Sequence, residues 1–86
     1  MHSSFAYEPV LSGKASSFLV GVSKAKQRKI IALIFQISDH PGQLGDYSTR
    51  DDIGRDVQHL LLGDWQFSFW ADRAVRELRV TEIAEL

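Results

Sequence analysis

Cysteine is absent from this 86-residue chain, which excludes a disulfide framework and a thiolate zinc site and fits a reducing compartment. Histidine is nearly absent as well. His2, His40 and His59 are separated by turns, with no carboxylates at ligand spacing, so no metal site and no metal cofactor are expected. The chain has no Gly-rich phosphate loop, no paired-histidine zinc motif and no Ser-His-Asp set on a nucleophile turn. Nor has it a membrane-spanning run: the longest apolar block, residues 30–37, is far too short, and no basic-then-apolar leader opens the chain. Charge of one sign is missing too. Ten basic and eleven acidic residues give a net charge of −1, so the total favours neither nucleic acid nor an anionic membrane. Together these absences predict a soluble cytoplasmic protein, without cofactor, in one domain over residues 1–86.

What is present is organised around the stretch Asp51–Glu82, in which three apolar runs are separated by two short polar turns. The first run, Asp56 to Leu62, ends at Gly63-Asp64; the second, Trp65 to Ala71, ends at Asp72-Arg73-Ala74, before Val75 begins the third. Turns this short pair neighbouring strands directly, which predicts a three-stranded antiparallel meander. Trp65, Phe67 and Phe69 alternate with Gln66 and Ser68, placing three rings in a core on one face. Trp70 then falls on the opposite face, as a candidate contact residue.

Upstream, Ser4 to Glu8 alternates as a short first strand would, and Pro9 fits the first turn of a helix whose stripe is Leu11, Ala15, Phe18, Leu19 and Val22. Ser23 can cap a second helix, Lys24 to Ile37, with Ile30, Leu33, Ile34 and Ile37 on one side. Lys24, Lys26, Arg28 and Lys29 crowd its beginning, where the helix dipole disfavours positive charge. They are either a solvated face covering apolar surface with long aliphatic stems, or a site for phosphate or an acidic partner. Pro41 and Gly42 end the helix, and a polar loop reaches Gly54 with Leu44 and Tyr47 as its anchors. The order strand, helix, helix, strand, strand, strand is an α+β fold: a helical hairpin packed on one face of a small antiparallel sheet.

In this arrangement the chain resembles the RelE/ParE superfamily, the toxin half of type II toxin–antitoxin modules. The likeness rests on the helical hairpin closing in SDHPGQLGDY, Gly54-Arg55 opening the sheet, the GDWQFSFWAD turn and strand, and the final strand LRVTEI. The resemblance implies a toxin neutralised by a cognate antitoxin. Its RelE-like form inhibits translation by metal-independent, ribosome-dependent mRNA cleavage. Its ParE-like form is a non-enzymatic inhibitor of DNA gyrase, and a degenerate member would only bind antitoxin. Arg55 and Arg79 match the family's arginines after the glycine and in the last strand, and so carry the catalytic assignment; Arg50, Trp70 and Tyr47 carry RNA or target binding. Two departures stand out: Asp46, Asp51, Asp52 and Asp56 make the loop before the sheet acidic, and Ala84-Glu85-Leu86 replaces the usual terminal His or Tyr.

RNA cleavage by its own 2′-hydroxyl needs proton removal, stabilisation of the phosphorane and protonation of the leaving oxygen. Paired guanidinium groups on one sheet face would supply the second. The structural alternatives are a pairing of Arg55 with a nearby aspartate such as Asp52, or with the backbone end of a helix, and of Arg79 across strands with a carboxylate such as Asp56. For proton transfer the candidates are Tyr47, His59 and Glu85, and in each a packing or solvated role competes with the chemical one.

Overall fold

A computed structural model describes residues 7–86. The elements are β1 (Glu8–Leu11), α1 (Gly13–Val20), α2 (Lys24–Ser38), β2 (Tyr47–Arg50), β3 (Asp56–Leu62), β4 (Trp65–Asp72) and β5 (Glu77–Glu85). The five strands form one sheet in the order β1-β5-β4-β3-β2, with β1 parallel to β5 and every other pair antiparallel. This is the α+β architecture expected, with both helices on one face of the sheet. The sheet is mixed rather than wholly antiparallel, because the chain returns from β1 through two helices and three strands before β5 runs beside it.

The first elements differ from the sequence reading. Residues 4–6 of the expected first strand lie outside the described residues, and the strand observed runs to Leu11, taking in Pro9. The amides of Glu8 and Ser12 donate to Arg76 and Val80 on the β5 side. By the two-residue period of a strand, Pro9 faces the outer edge, where a missing N–H breaks no ladder bond. The helix therefore starts four residues later than Pro9, at Gly13, with Ser12 as its cap: the Ser12 hydroxyl accepts from the Ala15 amide at 3.1 Å. In α2 the expected cap holds, Ser23 Oγ accepting from the Lys26 amide at 3.3 Å.

The polar loop before Gly54 also differs. Its residues Tyr47–Arg50 are a strand, exposed throughout, which pairs with β3 from His59 to Asp56. Alternation of apolar and polar residues cannot reveal an edge strand that buries neither face. Docking of β2 depends on Gly45, which lies against the backbone of His59, while the Asp46 amide donates to the His59 carbonyl at 2.8 Å. The last strand begins at Glu77 rather than Val75, since the β4–β5 turn occupies residues 73–76 and closes through Arg76 at φ 56°.

The core lies between the helices and the central strands. Phe67 and Phe69 of β4 are fully buried, with Ile30, Ile34 and Ile37 of α2 above them and Leu78, Val80 and Ile83 of β5 beside them. Burial of each such side chain stabilises the fold by about 1.5–3 kcal/mol. Ala15, fully buried, is the small residue on which α1 approaches the sheet.

A Cβ at residue 45 would stand 2.5 Å from the His59 carbonyl oxygen, whereas one at residue 13 meets nothing within 4 Å. Gly45→Ala is thus expected to destabilise the chain by about 1–3 kcal/mol. Gly13→Ala, in the first helical position, should stabilise it by a few tenths to about 1 kcal/mol. Thermal melts of the two variants check both signs, and amide exchange at Asp46 should accelerate only in Gly45→Ala.

Candidate functional site

Strand parity divides the sheet into a helix-covered face and an open face. On β4 the open face carries Ser68, Trp70 and Asp72; on β5 their partners are Glu82, Arg79 and Glu77. Trp70 and Arg79 sit directly opposite one another. Arg55, which leads into β3, lays its guanidinium over the Trp70 ring at 3.9 Å from the centroid, a cation–π contact worth about 0.5–1 kcal/mol at such exposure. The three side chains wall a groove of about 290 Å³, completed by Val10, Ser12 and Thr81. Arg55 and Trp70 also border a second hollow of about 400 Å³ under the loop Pro41–Leu44.

Each guanidinium is held by nearby carboxylates, as the structural alternative has it, though by other members than Asp52 and Asp56. Arg55 pairs with Asp51 rather than Asp52, Nε to Oδ2 at 2.7 Å. Asp51 Oδ1 meanwhile accepts from the amides of Ile53 and Arg55, so this one side chain builds the β2–β3 turn and positions the arginine. Gly54, at φ 85°, supplies the backbone reversal that closes it. Arg79 pairs with Glu77 at 2.8 Å, with Asp72 at 4.0 Å, rather than with Asp56. Asp72 and Glu77 are cross-strand neighbours, and like charges so placed repel, so Arg79 also relieves a local strain of charge. Its Nε is buried without an acceptor among the described residues.

Arg50 and Tyr47 are not in the groove. Arg50 pairs with Asp56 at 3.4 Å on the exposed β2–β3 ribbon. Tyr47 stacks on His59, ring centroids 4.6 Å apart and planes within 10°. His59 is part of a network that the sequence did not reveal: its Nε2 shares a hydrogen bond with Thr49 Oγ1 and its Nδ1 one with the buried Ser68 Oγ, both at 2.8 Å. The Ser68 bond follows from the β3–β4 register, whereas the Thr49 and Tyr47 contacts exist only because β2, the strand that the composition concealed, pairs with β3. Glu85 is engaged by Lys26 at 3.1 Å on the helix side of the sheet, away from the groove.

Among the described residues no three His, Asp or Glu side chains converge as metal ligands, and no helix is long and apolar enough to cross a membrane. The groove's own lining contributes two guanidinium groups, one indole and two hydroxyls. Both hydroxyls are committed, Ser12 donating to the Thr81 carbonyl at 2.7 Å and Thr81 to the Ser68 carbonyl at 3.3 Å. The arrangement can hold an anion or a flat ring, and has within it no group that exchanges a proton near neutral pH.

No family profile and no curated protein sequence matches the chain. Solved structures do. The chain superposes on a protein of the RelBE2 toxin–antitoxin complex from Mycobacterium tuberculosis with a TM-score of 0.77, at 12% identity, over 94% of this chain and 99% of that one. It superposes on one of the archaeal RelE–RelB complex from Pyrococcus horikoshii with a TM-score of 0.69, at 12% identity, covering 93% and 94%. For the intact Escherichia coli RelBE complex the TM-score is 0.68 at 9% identity, covering 94% and 98%. The chain shares its fold with these proteins of RelE–RelB complexes along nearly its whole length, the fold that the resemblance in the sequence implied.

The Arg55 bond holds the Asp51 carboxyl below its ordinary pKa of 3.8. A lowered carboxylate pKa adds stability that is complete above the unfolded value and is lost as pH falls through the folded one. Asp51→Asn keeps an oxygen for the two backbone amides but loses the charge on Arg55. Its melting temperature is expected to lie below that of the unaltered chain at neutral pH, with the gap closing only as pH falls below the ordinary carboxylate range; a melting series against pH tests this.

Proposed function

We propose that this chain is the toxin component of a type II toxin–antitoxin module, neutralised by a cognate antitoxin, with the Arg55–Trp70–Arg79 groove as its working site. The observation carrying this reading is that two arginines and a tryptophan, far apart in sequence, meet on the open face of a RelE fold. In the RelE-like form of the reading, the toxin cuts mRNA on the ribosome. The RNA's 2′-oxygen attacks the adjacent phosphorus, forming a 2′,3′-cyclic phosphate and breaking the bond to the 5′-oxygen. The guanidinium groups hold the non-bridging oxygens as negative charge grows on them, and Trp70 offers a ring for a base. Exchange of a carboxylate for a phosphate on Arg55 or Arg79 is inexpensive, because exposed ion pairs contribute only about 0–1 kcal/mol.

Proton transfer falls to a group outside the groove. His59 shares the open face, since it pairs with Ser68, two residues before Trp70 on β4. Its ring is the one imidazole among the described residues on that face, and the ribosome supplies the alternative.

A second reading has its own support. The carboxylates Asp51, Asp72 and Glu77 neutralise the arginines of the groove, and this near-neutral surface fits a protein target, such as gyrase in the ParE-like form, better than a phosphate chain. In it the same side chains are contact residues and no bond is cleaved.

Induced expression without antitoxin is expected to arrest growth, with mRNA cut on ribosomes in a cell-free translation system. Arg79→Ala should abolish cutting by about 100-fold or more, the scale of losing one transition-state donor. Because Arg79 also separates two carboxylates, Arg79→Lys is the control: a structural role predicts rescue, an anion fork does not. Growth arrest with intact mRNA and lost DNA supercoiling would move the assignment to the protein target.

A further inference from the structure

The two edges of the sheet are not alike. On β1, Pro9 turns its donor-less nitrogen outward, and the neighbouring Tyr7 amide is spent on the Ser38 carbonyl at 3.2 Å, so this edge cannot template a further strand. β2 at the other edge has neither proline nor lysine and is exposed at all four residues. Its ladder to β3 shows which of its backbone groups are spent. The Asp51 amide donates to the carbonyl of Arg55, directly across from it, at 3.0 Å. By the two-residue period of an antiparallel ladder, Tyr47 and Thr49 likewise bond inward, whereas Ser48 and Arg50 turn their N–H and C=O groups outward.

Two large apolar side chains flank this open edge without cover. Leu44, in the loop before β2, is 77% exposed, and Ile53, in the turn after it, is 73% exposed. Nothing in the fold of a single copy accounts for them. Antiparallel pairing of two copies sets the beginning of one edge strand beside the end of the other, and so brings such a pair together twice.

We propose that the chain forms a weak homodimer through β2, two copies pairing antiparallel about a two-fold axis at Ser48 so that their sheets join edge to edge. Two registers use both outward residues, one centred on Ser48 and one on Thr49. Centred on Thr49, Asp46 comes against Asp52 of the second copy, and like charges so placed repel. Centred on Ser48, Asp46 comes against Arg50 of the second copy, and Leu44 reaches the turn 51–54 in which the second copy's Ile53 stands. Charge thus selects the Ser48 register. Both charged groups are available to it: Asp46 spends only Oδ2, on the Leu61 amide at 2.7 Å, and the Arg50–Asp56 pair, 3.4 Å apart between exposed side chains, is readily shared. A second copy fits better than an unrelated strand, because each feature at one end of this edge has its complement at the other end of the same edge. The contact is short, of the class that buries less than about 1,200 Å² in total, and a dissociation constant of about 0.01–1 mM is expected. It braces the turn that holds Arg55, and it stands independently of the toxin reading.

Sedimentation velocity from about 0.01 mM to about 1 mM should show the average mass rising from monomer towards dimer. Ile53→Asp, at an exposed turn position, should weaken association about tenfold, as for an interface anchor, with the melting temperature unchanged. The chain has no cysteine, so a single introduced thiol reports the register. On the axis, Cα atoms in a hydrogen-bonded pair stand about 5.5 Å apart, inside the range of about 4.4–6.8 Å that a disulfide needs. Mild oxidation of Ser48→Cys should therefore yield a covalent dimer, and Thr49→Cys, off the axis, should cross-link at least about tenfold more slowly. Cross-linking of Thr49→Cys as fast as that of Ser48→Cys would overturn the register. A chain that stays monomeric up to about 1 mM, or a dimer indifferent to Ile53→Asp whose Ser48→Cys form does not cross-link, would overturn the proposal.

Discussion

One extra residue in β5 sets the two faces of the sheet. Ser68 pairs with Glu82 and Phe69 with Val80, leaving Thr81 unmatched as a bulge. Because of it, Ile83 and Val80, three residues apart, both face the helices, and Arg79 shares the open face with Glu82. A regular strand continued from Ile83 would turn Arg79 into the core beside Phe67 and Phe69 and expose Val80, burying a charge at a cost of several kcal/mol. The bulge is fastened from both sides. Thr81 offers its carbonyl to Ser12 at 2.7 Å and its hydroxyl to the Ser68 carbonyl at 3.3 Å. Ser12 is in turn the cap of α1, so the residue that re-aims Arg79 also fixes where the first helix starts.

The electrostatics of the two faces follow from this division. On the open face the guanidinium groups neutralise carboxylates that the strand register itself brings together, most plainly Asp72 and Glu77 on either side of Arg79. Their positive charge is stored in exchangeable pairs. On the helix side the charge of Lys24, Arg28 and Lys29 is uncompensated, and an apolar groove begins where it ends. A near-neutral total thus conceals an uneven distribution: the arginines of the open face are paired with carboxylates, and three cations of α2 are not.

The sequence disclosed the parts of this that depend on burial. The alternation of Trp65, Phe67 and Phe69 set the core face of β4, and so placed Trp70 opposite it, whereas Arg79 reaches that open face only through the bulge at Thr81, which no alternation marks. The isoleucine stripe and Ser23 located α2, and the resemblance found the fold. What stayed hidden depends on partners rather than on burial. β2 is exposed along its whole length and leaves no periodic trace. Pro9 reads equally as a helix start or an edge residue until the hydrogen bonds of Glu8 and Ser12 decide. Asp51 and Asp52 are equivalent acids in the sequence, and only the turn geometry gives Arg55 to the first of them.

That turn also explains how the site could take a ligand without unfolding its own support. Asp51 divides its work between two oxygens: Oδ1 receives the Ile53 and Arg55 amides that shape the loop, while Oδ2 receives the Arg55 side chain. An incoming anion that takes over the guanidinium relieves only Oδ2, so the loop keeps its amide bonds and Gly54 its reversal. Trp70, stacked beneath Arg55, remains as the platform over which the guanidinium turns from carboxylate to ligand. Since Arg55 and Trp70 wall both hollows of this end of the sheet, that turn would redraw the boundary between them, making the groove's shape a property of which anion Arg55 holds.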